Sequence, residues 1–328
     1  MNAVELDNLV KNFVLKKGRG FTRKNVEVQA VSGISFSVPE GQSVAFIGPN
    51  GAGKSTTIKM LTGILNPTSG NAHVLGLTPW KERNKLAYKI GVVFGQRSQL
   101  WYHLPPRDTF DLLAKIYSIE PHVYAKRRDM LIERFALGEF LHTQVRKLSL
   151  GQRMRAEVAA SLLHMPRVLF LDEPTIGLDV VARQELRDLI QEWNREEGVT
   201  VFLTSHDAGD IESVAKRVIV VNHGRVVLDD KVSSVRRKYF SSKVLSVKFQ
   251  DGHRDFDLNG VRVLKSTGYA VRLEVDTAVT RIESAVTAVL SAGTVLDITI
   301  EDPPLEEVIA HIYGQAATSN NAHAFAPT

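Results

Sequence analysis

The sequence predicts an α/β fold: a mainly parallel sheet flanked by helices, a helical subdomain inserted into it, and a small α+β domain after it. Three observations carry that expectation. Residues 44–65 read strand, glycine loop, helix, the loop Gly48-Pro-Asn-Gly-Ala-Gly-Lys-Ser-Thr56 fitting G-x-x-x-x-G-K-[ST] between the apolar run 44–47 and the helix-spaced Ile58, Leu61 and Leu65. Strand-like and helix-like stretches then alternate, the order of a parallel sheet. Between Phe94 and Val168 the pattern is mostly helical, and beyond about residue 240 the composition changes.

Taken in order, residues 3–10 alternate apolar and polar and read as a strand ending near Phe13. The stretch 15–24 holds five basic residues and no acid. It reads as a solvated loop between two strands, with contact to lipid headgroups or nucleotide as the alternative. Strands are expected at 26–38 and 43–47, separated by the turn Pro39-Glu-Gly41, and at 71–75 and 90–94. From 107 to 163 the period is helical, with Phe110, Leu113, Ile116 and Tyr117 on one face. A buried strand follows at 168–171, a helix at 180–196, and strands at 199–204, 217–221 and 225–228. A short basic helix, 232–240, ends the first unit. Strands 244–249, 261–264, 270–275 and 295–300, with helices 281–291 and 304–313, make the second, and the small, polar stretch 314–328 is expected to be disordered. The expected domains are therefore 1–240, with a helical subdomain over about 96–165, and 241–313.

Composition narrows the class. A chain of 328 residues accommodates one large domain and a smaller one. It contains no apolar run of about 18 residues, so no membrane span is expected. The start, Met-Asn-Ala-Val-Glu-Leu-Asp, lacks the regions of a signal peptide, which predicts a chain that stays in the cytoplasm. With no cysteine, disulfides and thiolate metal sites are excluded. A net charge of +5 gives weak support for an anionic partner.

The glycine loop carries the first chemistry. Glycines let successive backbone N–H groups approach phosphate oxygens, and the helix N-terminus adds positive potential. Gly48, Pro49, Asn50, Gly51, Ala52, Gly53 and Thr56 are thus expected to cradle a nucleoside triphosphate. Lys54 should reach its β- and γ-phosphates, and the Ser55 hydroxyl should ligate magnesium. Asp172 and Glu173 end the strand at 168–171. Strand neighbours point to opposite faces, so the two should differ in role. Asp172 is assigned to magnesium, directly or through water, and Glu173 to the attacking water, as general base or orienter. A GTPase would need Asn-Lys-x-Asp; Asn84-Lys-Leu-Ala87 lacks the aspartate and precedes the magnesium strand.

Leu148-Ser-Leu-Gly-Gln152 lies between these motifs, ahead of the apolar helix 156–163. The P-loop, Gln96 after Val92-Val-Phe94, Leu148-Ser-Leu-Gly-Gln152, Leu171-Asp-Glu173, Gly177-Leu-Asp179 and His206 follow the order and spacing of ABC transporter ATPase subunits. Residues 1 to about 240 resemble that family. The remainder is similar in outline to the extra C-terminal domain of ATPases serving type-two ABC exporters, with Asp302-Pro-Pro-Leu-Glu-Glu-Val-Ile309 before the last helix.

The resemblance implies a P-loop NTPase core that binds ATP and Mg2+ and hydrolyses ATP to drive transport. Gln96 matches the glutamine that senses magnesium and couples to the membrane subunit. Ser149 and Gly151 match signature residues that hold the γ-phosphate of ATP bound to the opposite subunit, and Gln152 belongs to the same signature. Asp179 matches the aspartate linking the two ATP sites, and His206 the switch histidine at the γ-phosphate. The family stacks an aromatic on the base near the end of the first strand: Phe13 is favoured here, with Phe21 as the alternative. Leu150 departs from the commonest signature, which has glycine there; the phosphate-facing positions, Ser149 and Gly151, are kept. Implied partners are a transmembrane permease and a second ATPase subunit, a homodimer being simplest, with no nucleic acid. The implied place is the cytoplasmic side of the cell membrane, as a peripheral subunit. The aromatic run Gln99-Leu-Trp-Tyr-His-Leu104 beside Gln96 suits an interface with that permease, unless Trp101 packs inside the helical subdomain. Alternative readings are a soluble ABC ATPase acting on ribosomes or DNA, and an importer ATPase.

Overall fold

The computed structural model describes residues 1–17, 24–95, 98–239, 242–252, 258–302 and 312, with the backbone alone at 16, 17, 24 and 236–239. Phe21, Gln96, the expected helix at 304–313 and the tail 314–328 lie outside the described residues or nearly so, Ile312 excepted. The chain divides into two units, Met1–Asp230 and Lys231–Thr328.

The first unit is built on two sheets. Strands β1 (Asn2–Lys17), β2 (Lys24–Pro39) and β4 (Ser69–Val74) form an antiparallel sheet in the order β2-β1-β4. Strands β3 (Ser43–Ile47), β5 (Ile90–Phe94), β6 (Val168–Asp172), β7 (Thr200–Thr204), β8 (Arg217–Asn222) and β9 (Arg225–Lys231) form a six-stranded sheet in the order β5-β6-β7-β3-β8-β9. From β5 to β8 every pair in it is parallel.

Burial on both faces explains why the parallel strands read as continuous apolar runs. In β6, Val168 and Phe170 face one core, while Leu169 and Leu171 face another. The first of these cores gathers the antiparallel sheet and helix α1 (Lys54–Leu61), with Phe46 and Phe202 5.3 Å apart and Phe36 5.6 Å from Phe46. The second gathers the helical subdomain: α3 (Pro106–Ile116), α4 (Pro121–Arg134) and α5 (Leu150–Leu162), with α6 (Val180–Glu197) against them through Trp193. Two short helices, α2 (Arg83–Ala87) and α7 (Ala208–Val214), complete the unit.

The register places the chemistry. Phe94 lies opposite Asp172, and Asp172 opposite Thr204, so β5, β6 and β7 finish level with one another. Strand β3, parallel to β7, opens into the glycine loop at the same edge. Ligands of open α/β sheets bind at this carboxyl edge.

The second unit opens with α8 (Val232–Tyr239). Strands β10 (Ser242–Phe249), β11 (Val261–Thr267), β12 (Ala270–Asp276) and β13 (Val295–Glu301) form an antiparallel sheet in the order β11-β12-β10-β13. Leu245, Val247 and Phe249 alternate inward with Val271, Leu273 and Val275. Against them packs α9 (Ile282–Ala292) through Ala285 and Val289.

Candidate active site

The loop from Gly48 to Gly53 wraps back on itself before α1 begins. Ala52 N–H donates to the Pro49 carbonyl at 3.1 Å, and Gly53 takes φ 102°, a left-handed conformation that glycine adopts without a Cβ penalty. A Cβ on Gly48 would meet the Val221 carbonyl oxygen at 2.4 Å. No side chain fits there. The loop and α1 open onto a cleft of ≈ 570 Å³ lined by Asn50, Gly51, Gly53, Lys54, Ser55 and Thr56 on one side and by Asp172 and Glu173 on the other.

Lys54 is buried, and its Nζ donates to the carbonyls of Gly48 at 2.6 Å and Pro49 at 3.3 Å. Burial pulls its pKa below the ordinary lysine value, against the opposing pull of Glu173 and Asp172. An anionic phosphate in the cleft would favour the charged form.

The two carboxylates are separated by something other than strand alternation. Strand β6 ends at Asp172, and Glu173 turns out of it at φ 54°. For a non-glycine residue that conformation costs on the order of 1–3 kcal/mol, so neighbours must hold it. They do. Glu173 N–H lies 3.1 Å from both the carbonyl and the hydroxyl of Thr204. Gly95 donates to the Asp172 carbonyl at 2.8 Å and comes so close that a Cβ on it would meet the Glu173 carbonyl at 2.3 Å. Both side chains therefore line one cleft, where opposite faces were expected. Their partners still differ. Asp172 Oδ1 accepts from Ser55 Oγ at 3.2 Å and from Thr204 Oγ1 at 2.6 Å. Glu173 Oε1 sits 4.0 Å from Lys54 Nζ and 3.6 Å from His206 Nδ1.

The adjacent hydroxyl and carboxylate of Ser55 and Asp172 are hard oxygen donors, the chemistry magnesium takes. Among the described residues no group of three or more His, Cys, Asp or Glu could enclose a metal. That donor set fits an ion held by one or two protein oxygens together with phosphate and water.

Five further expected residues that the structure describes do not line this cleft. Ser149 caps α5, its Oγ accepting from Gln152 N–H at 3.2 Å while Gln152 Oε1 accepts from Ser149 N–H at 3.0 Å, a capping box. Asp179 caps α6, accepting from Ala182 N–H at 2.9 Å. Gly151 lies against Ala182, and Gly177 against Leu150, so the signature and the Asp179 loop adjoin each other. None of Ser149, Gly151, Gln152 and Asp179 lines the cleft around Lys54. Phe13 does not line it either: it pairs with Val28 across β1 and β2, with Lys11 Nζ 5.2 Å from its ring. Gln96 falls outside the described residues.

Thr204 is the site residue that the motifs did not single out. Its only signal was a hydroxyl ending the buried run 199–204, beside the strand that ends in Asp172. Lys59, Ile64 and Ala30 also line the cleft, and none carries a motif.

Comparison with known proteins adds to this geometry. The family model described as ABC transporter matches residues 31–176. The daunorubicin resistance ATP-binding protein DrrA3 of Streptomyces coeruleorubidus is 31% identical over 303 residues, 90% of this chain and 94% of that protein. The linearmycin resistance ATP-binding protein LnrL of Bacillus subtilis (strain 168) is 29% identical over 294 residues, 87% of this chain and 94% of that one. A solved dimeric ATP-binding cassette, in a post-hydrolysis state bound to ADP and Pi, matches with a TM-score of 0.60 at 26% identity, over 70% of this chain and 98% of that one.

Proposed function

The chain belongs to the family of ABC transporter ATP-binding subunits, and from that membership we propose which residues act on ATP and what the hydrolysis drives. ATP is held with its phosphates on the Gly48–Gly53 loop. Lys54 leaves its two loop carbonyls for the β- and γ-phosphates. Ser55 and Asp172 hold magnesium, which neutralises phosphate charge when bound. Glu173 orients or deprotonates the attacking water, and His206, 3.6 Å from it, bears on the γ-phosphate. Gln96 retains the role implied by its place after β5, and Phe13 that of base-stacking aromatic. The observation that carries this reading is the level ending of β6 and β7 beside the P-loop, which sets Asp172 and Glu173 across one cleft from Lys54 and Ser55.

Ser149, Gly151, Gln152 and Asp179 are assigned to the ATP of a second cassette, because they lie away from the cleft of their own chain. A homodimer supplies that arrangement. Among the described residues no helix is long and apolar enough to cross a membrane, so a separate transmembrane permease is assigned the pathway, with this chain peripheral on its cytoplasmic side. The resistance functions named for DrrA3 and LnrL favour export.

Hydrolysis by the purified chain should require a divalent cation, and its specific activity should rise with protein concentration as cassettes pair. Activity that survives chelation, or that stays proportional to concentration throughout, would contradict the site or the pairing. Solubilised membranes containing a tagged chain should yield an integral membrane protein with it; recovery of the chain alone would count against the permease.

A further inference from the structure

Against the loop that carries His206 lies an ionic network, buried at Asp210 and partly exposed at Arg183 and Asp207. Asp210, on α7, is 0% exposed and accepts from Thr175 Oγ1, from Ser205 Oγ at 2.6 Å and from Arg187 Nε at 2.7 Å. Arg187 also donates through Nη2 to Asp207 at 2.7 Å. Arg183 donates to the other oxygen of Asp207 at 2.5 Å and to the Leu178 carbonyl at 3.2 Å. Two guanidinium groups thus meet two carboxylates. The Asp210 charge can be kept from water only while it is paired and hydrogen-bonded, and removing it strands the nearly buried Arg187. The fit is close: a Cβ on Gly209 would meet the guanidinium nitrogens of Arg187 at 2.8 and 2.9 Å.

The network joins three segments that bear on ATP. Thr175 follows Glu173 by two residues, Leu178 immediately precedes Asp179, and Ser205 and Asp207 flank His206. Asp207 N–H also donates to Ser205 Oγ at 3.0 Å, which closes the backbone around the histidine. The His206 side chain itself is 60% exposed and meets Glu173 at 3.6 Å. The histidine thus projects from a backbone whose flanking residues, Ser205 and Asp207, are both held by the network. No feature of the P-loop or signature requires four charged side chains here.

We propose that Asp210 and Arg187 are positioning residues for hydrolysis: they fix the His206 loop against the Glu173 and Asp179 loops. This rests on the reading of Glu173 and His206 given above. Neither residue lines the cleft, so ATP binding should be nearly indifferent to them, whereas the geometry around the attacking water should not.

The test is a double-mutant cycle on the full chain. Asp210→Asn keeps the side-chain shape and removes the charge that balances Arg187. We expect kcat to fall by roughly 10²-fold, the scale of a small misplacement of reacting groups, with KM for MgATP little changed. Because Asp210 acts through His206, adding Asp210→Asn to His206→Ala should lower kcat little further. Full multiplication of the two effects would overturn the inference, as would wild-type kcat in Asp210→Asn. If Asp210→Asn does not fold, Arg187→Lys takes its place in the cycle, since it keeps the positive charge and loses the fork that spans Asp207 and Asp210. Wild-type kcat in that variant, or full multiplication with His206→Ala, would again overturn the inference. The two layers separate cleanly. Wild-type turnover in His206→Ala alone removes the reading of the histidine and the inference with it, while a defect there beside normal turnover in Asp210→Asn removes the inference only.

Discussion

At the residue scale, two opposite charges meet in the cleft, Glu173 Oε1 lying 4.0 Å from Lys54 Nζ. The proposed division of labour gives Lys54 the phosphates and Glu173 the attacking water. Lys54→Ala should weaken nucleotide binding and abolish turnover, because it removes the positive charge from the loop. Glu173→Gln keeps size and hydrogen bonding and leaves Lys54 and Ser55 in place, so binding should survive while transition-state stabilisation is lost. Equilibrium binding of a fluorescent ATP analogue, read beside phosphate release, separates the two; near wild-type hydrolysis in Glu173→Gln would remove it as the catalytic carboxylate. A second residue prediction concerns Glu157, buried on α5. Burial holds its carboxyl above the ordinary glutamate value, outweighing the Ser98 hydroxyl, Arg153 and the Gln99 amide. The folded chain therefore keeps this proton to higher pH than the unfolded chain does. Stability falls as pH rises from the unfolded value through the folded one, and the penalty is complete above it. Glu157→Gln should raise the melting temperature at neutral pH, and the gain should shrink as pH drops into the carboxylate range. A gain that stays constant with pH would show that the charge is not its source. The P-loop and Asp172-Glu173 were legible in the sequence because their chemistry demands adjacent residue types. Thr204 and the Asp210 network were not: Thr204 meets Asp172 through strand register, and Asp210 meets Arg187 and Thr175 only because α7 packs against α6 and the loop after β6.

At the element scale, the loop after β5 stands between the cleft and the signature. Leu100 is its buried anchor, while Trp101 and Tyr102 are 42% and 52% exposed, so Trp101 does not fill the helical subdomain. The Tyr102 carbonyl accepts from Arg146 N–H at 3.0 Å and the Leu104 carbonyl from Val145 N–H at 3.1 Å, three and four residues before Ser149. These two hydrogen bonds tie the described part of the loop to the segment that leads into the signature. Trp101→Ala should weaken binding to the membrane partner by about 2 kcal/mol or more, as loss of an interface anchor does, and leave ATP affinity nearly unchanged. Co-purification yield and ATP binding, measured on the same variant, check this; a large drop in melting temperature would mean that the indole supports the fold instead. Strands were read well where both faces are buried, because the apolar run is unbroken, as in β6 and β7. The short helices α2 and α7, of 5 and 7 residues, are shorter than the stretch of about 11 residues over which a helical pattern can be read. Strand β1 runs past Phe13 to Lys17 because β2 pairs with it across Lys17 and Lys24, a contact that local polarity does not announce.

At the scale of the whole molecule, each unit has a core of its own. The residues that line the cleft all belong to Met1–Asp230, and the second unit has its separate cluster around Leu245, Phe249 and Leu273. A unit with its own core can fold alone. The second unit carries no phosphate-binding loop, and the described part of it holds no cluster of metal-ligating side chains. Its contribution is therefore expected in pairing or regulation of cassettes, not in holding ATP. A chain ending at Phe240 should melt cooperatively and bind ATP about as well as the full chain. If the second unit pairs cassettes, the shortened chain should also need a higher concentration to reach the same specific activity, because fewer dimers form at a given concentration. Titrating both chains for ATP binding and for concentration-dependent hydrolysis tells these roles apart. Normal binding with a shifted concentration dependence assigns pairing to the second unit, and normal binding with an altered rate at saturating concentration assigns regulation. A folded, shortened chain that cannot bind ATP would overturn the separation, since the cleft would then depend on residues beyond its own unit.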